Sequence, residues 1–204
     1  MKSRRGQRLF AVMMLLLLVA QGLVILGSWL ITAILPSLQL RSLLSSEGIR
    51  WFFGQFSYNL ASPIMVWMLV ATMGYGCITT SGLLHLKRPL DFRQRLALRF
   101  VVSELVVLIA VLVLLTLLPH AVLLNIDGHL FPSSFSDSII PYLSFSACIM
   151  GVSYAFLSGH ITSLVQTFSM LCSKFDTFSP LFVLYIAAAQ LFCSIRFVLT
   201  IGAQ

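Results

Sequence analysis

Two ionisable side chains lie inside otherwise uncharged apolar runs of this sequence, Glu104 and Arg196. Burying a charge in lipid is costly, so such residues are candidates for function by default. At about 1.5 Å per helical residue, Glu104 lies about 6 Å into its run and Arg196 about 27 Å into its own. The two should therefore not pair. Each is near enough to a membrane face to extend its charge to the interface, and we favour that structural role.

Gln190 and Ser194 lie one helical turn apart in the same apolar run as Arg196. Amide and hydroxyl groups at such positions hydrogen-bond either a solute or a neighbouring helix. We therefore treat Gln190 and Ser194 as candidate substrate-binding residues, with helix packing as the more ordinary role.

The sequence contains no pattern typical of an enzyme. It has no G-x-S-x-G, no H-E-x-x-H, no phosphate-binding glycine loop and no paired intramembrane carboxylates. The histidines do not have metal-ligand spacing on one helix face, so we expect neither a metal site nor a cofactor. No C-x-x-C pair occurs, and we expect free thiols at Cys77, Cys148, Cys172 and Cys193.

The composition is that of a membrane protein. Of 204 residues, 59% are hydrophobic and only 9% are charged, against about 25% charged in soluble domains. So few charges cannot cover a water-facing surface. The net charge of +7 does not indicate nucleic-acid binding, because the basic residues lie at the ends of apolar runs, where they determine topology.

Five apolar runs are long enough to cross about 30 Å of hydrocarbon. They span residues 9–35, 60–84, 100–118, 139–157 and 178–201 of one transmembrane domain covering residues 1–204. With the N-terminus inside, the inner segments hold ten basic residues and the outer segments two. This bias predicts a cytoplasmic N-terminus and an external C-terminus.

Two connecting segments are amphipathic, at residues 43–56 and 161–171. In the first, Ser45 and Ser46 are both candidate N-caps and Glu47 suits a first helical turn. We predict a short interfacial helix in each segment. The predicted fold is therefore an all-α membrane protein with about five transmembrane helices and two short interfacial ones.

Several short stretches, in order along the chain, resemble the p-aminobenzoyl-glutamate transporter (AbgT) family. They are the run from Leu43 to Phe52, Asn59-Leu60, Pro63, Ser81-Gly82-Leu83-Leu84, Asp127-Gly128, Ser134-Phe135, Ile139-Ile140-Pro141, Gly151, Tyr154-Ala155 and Ala188-Ala189-Gln190. The resemblance implies a multi-pass protein of the bacterial inner membrane, possible homodimers, and a relation to transport of p-aminobenzoyl-glutamate-like small anions.

The departures from the family are equally informative. The family has a substrate-site hairpin between the Ser-Gly-Leu-Leu stretch and the basic segment, whereas here Leu84 is followed almost directly by Lys87. A second hairpin would follow the point where this sequence ends, at Gln204. The family's Asn-Trp-Ser-Asn run is replaced by residues 196–199, Arg-Phe-Val-Leu. We therefore expect a shortened, degenerate relative, or alternatively a non-transporting scaffold or accessory subunit that binds other membrane proteins.

Overall fold

The computed structural model of the chain describes residues 4–35, 40–85, 91–117 and 134–199. These residues form eight α-helices and one 3-10 turn, Leu83–His85, and within them there is no strand. The helices are α1 (Arg4–Ile34), α2 (Ser46–Gly54), α3 (Phe56–Leu60), α4 (Pro63–Thr80), α5 (Phe92–Leu117), α6 (Ser134–Leu157), α7 (Leu164–Cys172) and α8 (Phe175–Leu199). The prediction of an all-α fold is confirmed.

Five of these helices are long and apolar enough to cross a membrane. The qualifying segments are Gly6–Ile34, Pro63–Thr80, Phe92–Leu114, Ser138–Leu157 and Phe175–Leu199. Large apolar side chains on them are widely exposed, as at Leu23 of α1, which is 67% exposed. Helices with this length and this exposed apolar surface are those of an α-helical membrane protein.

Most helix ends differ from the ends of the predicted apolar runs, and α4, for example, ends at Thr80 and not at residue 84. The differences at the starts of α4 and α5 have clear physical reasons. Residues 60–62 do not belong to α4, because a separate short helix ends at Leu60 and Pro63 takes the first position of α4, where its missing N–H is not needed. α5 begins at Phe92, eight residues before the run predicted at residue 100. Its first turns carry Arg93, Arg95 and Arg99. These charges lower the local hydropathy, so the apolar run begins later than the helix does.

The described helices group into two compact units. The first unit comprises residues 1–65 and 179–204, and the second comprises residues 66–178. The single transmembrane domain expected over residues 1–204 stays a prediction. Lys87, Asp127 and Gly128, on which the resemblance and its departures partly rest, lie outside the described residues.

The core of the first unit lies where the segment before α2 meets α1 and α8. Leu43, Phe197 and Val198 are buried there, and Val24, Ile25 and Trp51 pack around them. The backbone N–H of Leu43 donates to Ser28 Oγ at 3.1 Å, and that of Arg41 donates to the Val198 carbonyl at 3.4 Å. These bonds fix residues 41–43 against both long helices.

The core of the second unit is formed largely by packing of α5 against α6. Ala97 and Val101 of α5 are buried with Tyr154 of α6. The hydroxyl of Tyr142 donates to the Leu108 carbonyl at 2.5 Å. Cys77 of α4 is buried in a second cluster with Ala155 and Met170.

Candidate functional site

A polar pocket of about 610 Å³ opens in the first unit. It is formed by α2, α3, the start of the segment before α2, and the last turns of α8. Its polar and aromatic lining includes Arg41, Glu47, Arg50, Trp51, Asn59 and Arg196. Cys193, Arg196 and Phe197 all line it because residues three and four apart share one face of a helix.

Local sequence explains why α2 projects Arg50 and Trp51 into this pocket. The Ser45 hydroxyl accepts from the backbone N–H of Gly48 at 3.0 Å and so caps the start of α2. Gly48 itself has no room for a side chain, because a Cβ there would overlap the backbone of Ser42 and Leu43. The cap and the close approach of Gly48 to residues 42 and 43 fix the direction of α2 relative to the segment that precedes it.

The pocket has an excess of positive charge. Three arginines and one glutamate line it, and Arg41 Nη2 lies 3.7 Å from Glu47 Oε1. That ion pair is solvent-accessible and contributes little stability, about 0–1 kcal/mol. With Arg50 and Arg196 included, the charged residues that line the pocket carry a formal charge of +2.

Aromatic rings support the cationic side of the pocket. Trp51 and Phe197 stack with their ring centroids 4.4 Å apart. The Arg41 guanidinium lies 5.6 Å from the centroid of the Phe197 ring, which is within cation–π range. The stacked rings and the guanidinium of Arg41 thus form one continuous side of the pocket.

The predicted site residues Gln190 and Ser194 are both buried, 5% and 0% exposed. Each takes part in a hydrogen bond between helices. Asn59 Nδ2 donates to Gln190 Oε1 at 3.1 Å, and Gln21 Nε2 donates to Ser194 Oγ at 2.9 Å. Gln190 therefore touches the polar pocket only through Asn59, and neither residue lines it.

Arg196 lies three residues before the end of α8, and its exposed side chain lines the polar pocket. Its depth in a bilayer stays a prediction. The sequence does not indicate Arg41 or Arg50 as site residues, because the amphipathic segment that follows Arg41 and contains Arg50 is predicted to be a helix on the membrane surface. A usable signal was present: these are the only two basic residues in the segments predicted to be external, Arg41 just before the amphipathic segment and Arg50 within it.

Glu104 lies in the second unit. Its Oε1 accepts from the Ser153 hydroxyl of α6 at 3.1 Å, so the carboxylate joins α5 to α6. Within the described part of the chain, its other oxygen is buried without a hydrogen-bond partner. The structure thus shows Glu104 in a helix-to-helix contact.

No family model, curated protein or solved structure matches this chain. The resemblance to the AbgT family therefore stays a prediction, and the site has to be interpreted from its own geometry. That geometry is a cationic, aromatic-walled pocket in a helical protein with very few charges.

Proposed function

We propose that this chain binds a small organic anion in the pocket lined by Arg41, Arg50 and Arg196, and that it is a relative of the AbgT transporters. The observation that carries the proposal is the gathering of three guanidinium groups around one cavity, in a protein with only 9% charged residues. The proposed location is the bacterial inner membrane, with the N-terminus in the cytoplasm.

The chemistry of the pocket suits a small anion that carries both carboxylates and an aromatic ring. A guanidinium binds a carboxylate through two parallel hydrogen bonds, and three of them can hold two carboxylates. Ligand pockets usually measure about 300–1,000 Å³, so a cavity of about 610 Å³ has the size for a small solute. Trp51 and Phe197 offer aromatic contact, which makes p-aminobenzoyl-glutamate a suitable test ligand.

Binding does not by itself imply transport. Alternating access requires a midplane site between elements that rock against one another, usually with hairpins or broken helices. The resemblance breaks off where the family has its first hairpin, between Leu84 and Lys87. We therefore propose binding without transport by the isolated chain, and assembly as a homodimer in the membrane.

The direct experiment is a binding titration of p-aminobenzoyl-glutamate to the purified protein in nanodiscs. Arg196→Gln and Arg50→Gln each remove one charge from the pocket, and Arg99→Gln removes an exposed charge from α5 as a matched control. We expect each pocket variant to weaken binding roughly tenfold or more, the value of a charged hydrogen bond. Equal affinity in all four proteins would refute the proposal.

A second candidate function is an accessory subunit that binds another membrane protein. The exposed apolar face of α7 favours it, since Leu164 is 88% exposed and Phe168 projects from the same face. A photo-crosslinking amino acid at Leu164, in intact membranes, distinguishes a discrete protein adduct from lipid adducts. The matched position is Leu23 of α1, where lipid adducts are expected. A discrete protein adduct at Leu164 alone would support this candidate.

A further inference from the structure

A second cavity, of about 260 Å³, lies in the first unit between α1, the short helices α2 and α3, and α8. Its walls are almost entirely apolar, with Leu17, Phe52, Phe56 and Ile186 among them. Among the described residues that line it, two have polar side chains, Gln21 and Gln190. An apolar cavity with a few convergent polar groups is the usual form of a small-molecule site.

The two glutamines each present one unpaired polar atom. Gln21 Oε1 and Gln190 Nε2 are buried and have no hydrogen-bond partner among the described residues. Their other atoms are used, because Gln21 Nε2 donates to Ser194 and Gln190 Oε1 accepts from Asn59. Those two bonds leave the second polar atom of each amide, one acceptor and one donor, buried beside the cavity.

Leaving a buried donor or acceptor unpaired costs about 1–3 kcal/mol, so two of them in one cavity require a partner. A hydroxyl group is the smallest group that both donates, here to Gln21 Oε1, and accepts, here from Gln190 Nε2. A charged headgroup is excluded, because an uncompensated ion in an apolar cavity is far more costly.

A single water would satisfy the glutamines but not fill the cavity. Water takes about 30 Å³ in the liquid and needs two to four polar partners. The cavity is several times larger, and its remaining walls are apolar. We propose that it binds a neutral lipophile carrying one hydroxyl group, with the apolar body against α1 and α8 and the hydroxyl between Gln21 and Gln190. This ligand differs in class from the anion proposed for the arginine pocket.

The test compares two photoactivatable probes of equal length, a diazirine-bearing decanol and the same alkane without the hydroxyl. Each is incorporated into nanodiscs with the full-length protein, and mass spectrometry locates the adducts. We expect adducts on the cavity-facing residues of α1 and α8, with the alcohol favoured roughly tenfold or more, the combined value of its two hydrogen bonds.

Three variants test the assignment. Gln21→Leu removes the acceptor and should reduce the preference for the alcohol to that of the one remaining hydrogen bond, roughly threefold. Gln7→Leu makes the same change at an exposed position of the same helix and should preserve the full preference. Ala187→Phe fills the cavity and should reduce labelling by both probes.

Equal labelling of the wild-type protein by alcohol and alkane would overturn the proposal, as would a preference that Gln21→Leu leaves unchanged. The comparison of the two probes on the wild-type protein needs no mutation, so it tests the proposal even if a variant fails to fold. Its outcome is also independent of the arginine pocket, which remains intact in every protein used.

Discussion

At the residue scale, Gly151 of α6 shows how closely the helices of the second unit approach. A Cβ at this position would lie 2.9 Å from the backbone of Cys77 in α4, nearer than packed carbon atoms allow. We expect Gly151→Ala to force the helices apart and to lower the free energy of unfolding by about 1–3 kcal/mol. The measurement is thermal unfolding in detergent.

The control for this prediction is Gly22→Ala in α1, where nothing lies within 4 Å of the added carbon. There alanine should be neutral or stabilising, because glycine lowers helix stability by about 0.5–1 kcal/mol. Similar melting temperatures for both alanine variants would show that α4 and α6 do not touch at Gly151.

Residue by residue, the sequence predicts burial better than it predicts partners. Gln190 and Ser194 are recognisable in the sequence as polar groups inside an apolar run. In the structure both are buried, and each forms a hydrogen bond to another helix. Arg41 and Arg50 could not be assigned to a pocket with Arg196, because more than 140 positions separate them along the chain. Only folding of α8 against the segment around α2 brings them together.

At the element scale, the position of α2 depends on its N-cap. The sequence allowed either Ser45 or Ser46, and the structure assigns the cap to Ser45, with Ser46 as the first helical residue. Ser45→Ala should cost about 1 kcal/mol of helix stability. Amide hydrogen exchange in residues 46–54 should then be roughly fivefold faster.

Ser46→Ala is the matched variant, because it removes the same hydroxyl one residue later without removing the cap. Exchange in residues 46–54 should be almost unchanged there. Faster exchange in the Ser46 variant, with the Ser45 variant unaffected, would show that Ser46 and not Ser45 caps α2.

Hydropathy locates long helices but not their ends. The length of a run reflects how many apolar residues are adjacent, whereas a helix continues through any residues that can keep its hydrogen bonds. α5 therefore begins among arginines, which an exposed helix end tolerates well. In contrast, Pro63 ends the preceding short segment and starts α4.

At the scale of the whole molecule, the distribution of basic residues predicts orientation. Ten basic residues against two favour a cytoplasmic N-terminus and a cytoplasmic segment around residue 90. Single cysteines introduced at residues 6, 90 and 130 and treated with a membrane-impermeant thiol reagent test this in whole cells. Only residue 130 should react from outside, and labelling of residue 90 would contradict the predicted topology.

The central claim, that a small anion occupies the arginine pocket, is tested most directly by ligand protection of Cys193. This thiol lines the pocket, whereas Cys172 is exposed on α7 and serves as a control in the same molecule. A neutral maleimide is applied with and without p-aminobenzoyl-glutamate, and mass spectrometry follows each cysteine separately. With ligand at about ten times its Kd, modification of Cys193 should slow roughly tenfold while that of Cys172 stays constant. Unchanged modification of Cys193 at saturating ligand would contradict the account.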